Sequence, residues 1–174
     1  MKEAMVNVYS HSDFDHIMKV NNWVDGDIPT DVAFISICNA NTDVSTDDEL
    51  KHWFSVENGQ VINLDFDDID GYDDMNGNIG MSDVDGERLF EFIVSNYGKH
   101  FYIHCSAGRS RSQGVSRFIQ DSERLIAEVL EVERVHYKER DDNKATTPNW
   151  HVVCGIRKAM RKKWYEGLFE DVEV

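Results

Sequence analysis

The strongest constraint on the fold is a run of apolar and β-branched side chains at residues 31–38, which predicts a buried β-strand. Shorter apolar runs recur along the chain, separated by stretches with helical periodicity. Strands are predicted at residues 6–9, 31–38, 61–66 and 100–105. Helices are predicted at residues 11–19, 82–97, 111–120, 123–135 and 148–165, and a capping box at 46–49 predicts one more, through Trp53 and Phe54. Residues 135–147 are predicted to be a charged connection.

This alternation of strands and helices predicts the α/β fold class. We expect a three-layer α/β/α architecture with a small, mostly parallel central sheet. A single domain is expected to span residues 1–174, with its core at about 31–165 and an acidic tail at 170–174. Functional sites in such sheets lie beyond the carboxyl ends of the strands. The residues that directly follow the predicted strands are therefore the candidates for chemistry.

The charge of the chain limits its partners. The 174 residues carry a formal net charge of −15, and the sequence pI is 4.7. Such a surface repels nucleic-acid phosphates and anionic membranes at long range, so neither is an expected partner, although acidic mimicry of a nucleic acid stays open. No apolar run approaches the roughly 20 residues of a membrane-spanning helix. The first residues lack the apolar stretch of a secretory signal, so we expect a cytoplasmic protein.

The cysteines indicate a working thiol rather than a disulfide framework. Cys38, Cys105 and Cys154 are odd in number and have no paired spacing. In a reducing compartment, a lone cysteine is available for chemistry. The chain has no C-x-x-C motif for structural zinc, and the acidic segment at residues 65–71 fails the spacing of a calcium loop. We therefore expect no metal site.

The segment with the most specific chemistry is residues 104–112, His-Cys-Ser-Ala-Gly-Arg-Ser-Arg-Ser, between a predicted strand and a predicted helix. Backbone N–H groups in a small-residue loop at a helix N-terminus can converge on an anion, and the small residues here are Ser106, Ala107, Gly108 and Ser110. Arg111 returns to the same point, and its planar guanidinium can hold two phosphate oxygens. The same positive field lowers the pKa of the Cys105 thiol and favours the nucleophilic thiolate. The Ser112 hydroxyl is placed to donate to that sulfur.

This segment resembles the signature of the cysteine-based protein tyrosine and dual-specificity phosphatases, and is closest to the dual-specificity branch. The match consists of Cys105, five residues, Arg111 and Ser112, preceded by His104. Beyond these positions, element order alone extends the resemblance over residues 61–120. It implies a cysteinyl-phosphate intermediate, a phosphate-binding loop from Ser106 to Arg111, and no metal or organic cofactor. It also implies that His104 supports the loop through backbone hydrogen bonds and that the Arg109 side chain points away from the phosphate.

The resemblance further implies an aspartate that protonates the leaving oxygen. The candidates on the acidic loop before the cysteine are Asp65, Asp67, Asp68, Asp70, Asp73 and Asp74. We choose Asp68, because Phe66-Asp67-Asp68 resembles a Phe-Asp-Asp element in which the second aspartate is the acid. It also falls just past the carboxyl end of a predicted strand. Asp67, Asp70 and Asp73 remain open.

The expected function is hydrolysis of phosphomonoesters on phosphoproteins. Phosphotyrosine is the expected substrate, and phosphoserine and phosphothreonine stay open. The same chemistry could act on an RNA 5′ end, an inositol phosphate or a lipid. The loop has no lysine for a polyphosphate, and the acidic surface disfavours RNA and anionic membranes. A non-catalytic phosphate-binding or acidic interaction protein is the alternative from another class, and sulfurtransfer is a distant third.

Overall fold

The computed structural model describes residues 2–40, 51–71, 77–139 and 147–166. Within these ranges the strands are β1 (Lys2–Tyr9), β2 (Val32–Cys38), β3 (Val61–Asp65), β4 (His100–His104) and β5 (Val135–Glu139). The α-helices are α1 (His11–Asn21), α2 (Asp83–Ser95), α3 (Arg111–Leu130) and α4 (Trp150–Arg161), and a π-helical turn (Lys162–Glu166) follows α4. The five strands form one sheet in the order β3-β2-β4-β1-β5, and every neighbouring pair is parallel.

Helices cover both faces of the sheet, which confirms the predicted three-layer α/β/α fold. All seven residues of β2 are buried, as expected for a parallel strand covered on both sides. The side chains of Ala33, Ile35 and Ile37 belong to the larger apolar cluster, which also holds the buried residues of α2, α3 and α4. On the other face, Phe34 packs in a smaller cluster with residues of α1 and with Phe54.

The first strand lies in the middle of the sheet rather than outside the core. β1 pairs with β4 on one side and with β5 on the other. Ala4, Val6 and Val8 are buried in the larger cluster. The prediction that the core starts near residue 31 is therefore wrong, and the predicted strand at residues 6–9 is four residues too short, because it begins at Lys2.

An edge strand was not predicted. Residues 135–147 were predicted to be a charged connection, but the first five of them, Val135–Glu139, form β5. Val135 and Tyr137 are buried, and the residues beside them are more exposed. A five-residue edge strand with only every second side chain buried produces too few apolar positions to stand out in the sequence.

Two helix predictions are also corrected. α3 is one continuous helix where two were predicted, at residues 111–120 and 123–135. Asp121 lies within this helix, where it forms an i,i+4 ion pair with Arg117 and a second ion pair with Arg157 of α4, so the polar residues 121–122 do not end the helix. Residues 51–54 are not helical, although a helix was predicted through Trp53 and Phe54.

Some predicted features lie outside the described residues: the capping box at 46–49, Asp73, Asp74 and the acidic tail at 170–174. Among the helices of the described ranges, none combines the length and the apolar character needed to cross a bilayer.

The topology brings three chain segments together at one edge of the sheet. Tyr9 of β1 and Ser36 of β2 are both register partners of His104 in β4. The residues that follow these three strands therefore meet at the carboxyl edge, where sites in parallel sheets form. Cys105 lies directly after the middle strand of the three.

Candidate active site

The loop between β4 and α3, residues 105–110, is fixed at both ends by backbone hydrogen bonds. The carbonyl oxygen of Ser106 accepts from the amide of His11 at 3.2 Å, at the N-terminus of α1. The carbonyl oxygen of Ser110 accepts from the amides of Gly114 at 2.9 Å and Asn149 at 3.1 Å. Within the loop, Ala107 and Arg109 are exposed. The shape of the loop is therefore set by α1, α3 and α4 together.

Gly108 is required at the turn of this loop for two reasons. Its φ angle is +66°, in the left-handed region that side chains disfavour. A Cβ atom at this position would lie 2.5 Å from the carbonyl carbon of Tyr9 and 2.6 Å from the amide nitrogen of Ser10. The backbone of the loop can therefore approach the end of β1 only because this residue has no side chain.

Cys105 is buried at the base of the loop, and its environment favours the thiolate. Its Sγ lies 3.1 Å from the Oγ of Ser112, in the first turn of α3. Burial raises the pKa of the thiol. Hydrogen bonds from the hydroxyl and the amide of Ser112, the charge of Arg111 and the amide of Gly108 lower it by more, so the net pKa lies below its ordinary value. The predicted partnership of Cys105 and Ser112 is therefore present.

The guanidinium of Arg111 is buried and only partly satisfied. Its Nη1 donates to the carbonyl oxygen of Phe66, just after β3, at 2.5 Å and to that of Cys38, the last residue of β2, at 3.2 Å. Its Nη2 donates to the Oγ of Ser106 at 2.9 Å, within the loop. The buried Nε has no hydrogen-bond partner among the described residues. Because Nε and Nη2 share one edge of the planar group, that edge can bind two oxygens of an anion in the loop.

Asp67 and Asp68 occupy different environments although they are adjacent. The carboxylate of Asp67 is buried and accepts from the amides of Ala40 at 3.2 Å and Ile79 at 2.8 Å. It therefore joins two loops. Asp68 is exposed, and its Oδ1 accepts from the Oγ of Ser110 at 2.6 Å, which places this carboxylate against the loop of Cys105. Of the two, only Asp68 contacts the loop of Cys105, and its role as the acid stays a prediction.

Asn149 is a site residue that the sequence analysis missed. Its side-chain amide donates to Oδ1 of Asp68 at 2.9 Å and to the carbonyl oxygen of Ile69 at 3.2 Å. Its side-chain oxygen accepts from the amide of Val152, so it caps α4. The predicted start of this helix at Pro148 is one residue before the cap. An asparagine directly before an apolar helical pattern is the signal that could have drawn attention to it.

His104 has a different partner from the one that the resemblance implies. Its Nε2 lies 2.6 Å from the Oγ of Ser36, and its Nδ1 is buried without a partner among the described residues. Ser36 in turn lies 2.6 Å from Nδ1 of His52, so a single hydroxyl bridges two imidazoles, donating to one and accepting from the other. Burial, with smaller contributions from neighbouring cationic groups, moves the pKa of His104 well below its ordinary value. The ring is therefore neutral and positions the loop through β2.

The arrangement places a buried cysteine at the base of a loop that has the donors to bind an anion. The loop and its contacts bring together four groups: the buried Cys105 thiol, the Ser112 hydroxyl beside its sulfur, the Arg111 guanidinium with its Nε unpaired among the described residues, and the Asp68 carboxylate. Asp70 is exposed, and no hydrogen bond to the loop is seen for it. Asp65, at the end of β3, bonds His52 instead.

Comparison with protein-family models, with curated proteins and with solved structures found no match to this chain. The resemblance stated above therefore depends on nine residues of sequence and on the geometry that they adopt.

Proposed function

We propose that this chain is a cysteine-dependent phosphatase that hydrolyses phosphomonoesters on proteins. The observation that carries the proposal is the buried Nε of Arg111, which lacks a partner among the described residues while Nη1 is held by two carbonyl oxygens. A buried donor of this kind is costly unless a ligand satisfies it. An equatorial phosphate oxygen supplies the missing acceptor, next to a thiol whose pKa is lowered.

In the first step, the Cys105 thiolate attacks phosphorus in line with the ester oxygen. The S–P bond forms and the P–O bond to the leaving group breaks. Asp68, entering as the carboxylic acid, transfers its proton to the leaving oxygen. Because Ser110 and Asn149 both bond its Oδ1, Oδ2 is the atom that carries the proton. Arg111 and the loop amides bind the equatorial oxygens throughout.

In the second step, water attacks phosphorus and the S–P bond breaks. The ionised Asp68 accepts a proton from the water, inorganic phosphate leaves, and Cys105 returns to the thiolate. The hydroxyl of Ser112, 3.1 Å from Sγ, stabilises the departing sulfur anion. The residues of the chain supply every group in this cycle, and we expect a phosphorylated protein as the partner.

Hydrolysis of p-nitrophenyl phosphate tests the proposal. We expect turnover that vanadate inhibits and that Cys105→Ser abolishes. The matched control is Cys154→Ser, because Cys154 is an exposed free cysteine on α4. Activity that survives in Cys105→Ser would overturn the cysteine mechanism. Phosphate binding without turnover would identify a phosphate reader, and activity with thiosulfate alone would identify a sulfurtransferase.

A panel of phosphopeptides then separates the substrates. We expect phosphotyrosine peptides to be hydrolysed faster than RNA 5′ phosphates, inositol phosphates or phospholipid vesicles. The reverse preference would place the same chemistry on a non-protein substrate.

A further inference from the structure

A second group of reactive side chains lies at the carboxyl edge of the sheet, on the opposite face from the larger apolar cluster. It consists of Cys38, His52 and Asp65. One donor atom from each residue can be chosen so that all three lie within 4.8 Å of one another. None of these three side chains carries out a step of the mechanism proposed above.

The fold, rather than the local sequence, brings these three residues together. Cys38 and Asp65 are the last residues of β2 and β3, and they are register partners in the parallel pair. Their side chains therefore leave the same face of the sheet at the same height. His52 comes from the connection between these strands and lies over them, with Nδ1 3.5 Å from Sγ of Cys38 and Nε2 3.0 Å from Oδ1 of Asp65.

We propose that Cys38, His52 and Asp65 bind one divalent transition-metal ion of the zinc type. A thiolate, an imidazole and a carboxylate are the ligand classes that zinc takes in proteins. The ligand atom of His52 is Nε2. For metal bonds of about 2.0 Å to nitrogen and to oxygen at a tetrahedral angle, the two donor atoms stand about 3.3 Å apart. The observed separation of Nε2 of His52 and Oδ1 of Asp65 is 3.0 Å.

The surroundings of the three residues fit an ion that enters from solvent. The side chain of Asp65 is 62% exposed, whereas Cys38, its register partner on the neighbouring strand, is buried. With three protein ligands, a fourth position is left for water.

A hydrogen-bonded partner for the imidazole is already in place. Ligating histidines usually bond a further group through the ring nitrogen that the metal does not use. When the ion binds Nε2 of His52, Nδ1 keeps its 2.6 Å contact with Ser36, and Ser36 keeps its 2.6 Å contact with His104. The sequence analysis expected no metal because it searched for closely spaced cysteines, whereas these ligands come from three separate segments.

Titration of the full chain with Co²⁺ tests the site. The protein carries Cys105→Ser and Cys154→Ser, so Cys38 is the only thiol left of the three in the sequence. We expect about one equivalent of Co²⁺ to bind with a sulfur-to-cobalt charge-transfer band in the near ultraviolet, and Zn²⁺ to displace it. Adding Cys38→Ser is expected to remove the band.

The other two ligands are tested by affinity in the same background. His52→Gln and Asp65→Asn are each expected to weaken Co²⁺ binding at least about tenfold. Asp65→Asn keeps its size at an exposed position, so it is expected to fold even if Cys38→Ser does not. Asp70→Asn is the matched control, an exposed aspartate outside the group, and it should bind as the parent does. The proposal is overturned if Co²⁺ in the millimolar range produces no charge-transfer band, or if His52→Gln and Asp65→Asn leave the affinity unchanged.

Discussion

Replacing Asp67 and Asp68 one at a time by alanine should separate folding from catalysis at two adjacent residues. The Asp67 carboxylate accepts two amide hydrogen bonds, from Ala40 and Ile79. A hydrogen bond to a charged acceptor contributes about 1.5–3 kcal/mol. Ala40 is half-buried and Ile79 is exposed, so water can partly replace the lost acceptor. We therefore expect Asp67→Ala to lower the free energy of unfolding by about 3 kcal/mol, the lower end for two bonds.

Asp68→Ala should have the opposite profile. Its carboxylate is exposed and Ser110 is only half-buried, but the buried Asn149 amide loses one of its two acceptors, so we expect a loss of about 1–2 kcal/mol in unfolding free energy, less than for Asp67→Ala. Removal of the general acid should lower kcat by about 10²- to 10⁴-fold. Aryl phosphates with good leaving groups should be less affected, because their oxygen needs less help from a proton.

Urea unfolding and kcat on a series of aryl phosphates measure the two effects side by side. The reasoning is refuted if Asp67→Ala unfolds like the parent but loses kcat, while Asp68→Ala keeps its kcat on poor leaving groups. That outcome would make Asp67 the acid. If both variants keep kcat, the acid lies elsewhere on the acidic loop.

Two further predictions concern the loop, and a third concerns Glu123 of α3, which bonds the amide of Tyr137 in β5. Arg111→Lys should be as inactive on p-nitrophenyl phosphate as Arg111→Ala, because one ammonium cannot both bond two carbonyl oxygens and present a planar edge to phosphate. Substantial activity of the lysine variant would argue against that edge as the phosphate ligand. Gly108→Ala should lower the free energy of unfolding, measured in urea, by at least about 2 kcal/mol, because the residue has a positive φ and the new methyl group would clash with Tyr9. Gly59→Ala is the control, because its methyl group would meet open space and should not lower this free energy. Burial raises the pKa of Glu123, but the amide of Tyr137 and the side chains of Arg134 and His136 lower it by more. The ionised Glu123 should therefore stabilise the folded protein fully above the ordinary glutamate pKa of 4.5, and this contribution should disappear as the pH falls through the lowered value. The unfolding curves of Glu123→Gln and the parent should accordingly converge in acid and stay apart at pH 7.

The sequence carried enough information for the layers of the fold but not for its edges. The strand at residues 32–38 was predicted nearly to the residue because continuous burial requires apolar side chains throughout, and the strand at 61–65 because Ile62 and Leu64 alternate with polar residues. β5 was missed because only Val135 and Tyr137 face the core. The central position of β1 was missed for another reason: strand order depends on pairing across the chain, which no local pattern records.

The residues of the candidate site also differ in how well the sequence could predict them, according to how far apart they lie in the chain. Cys105, Arg111 and Ser112 are close in sequence, so spacing alone brought them together, and their contacts agree with that expectation. The bond from Asn149 to Asp68 spans 81 positions. The contact of Ser36 with His104 spans 68. Such partners are chosen by the tertiary fold, and no periodicity or spacing rule in a single sequence identifies them.

The central place of β1 has a consequence for how the protein is made. During translation this strand is made before its neighbours β4 and β5, which follow only after about a hundred further residues have been added. The nascent chain must therefore hold an apolar segment unpaired until β4 has been made. A chaperone that holds the apolar part of β1 during this interval would have to release it before β4 can pair and Cys105 can take its final position.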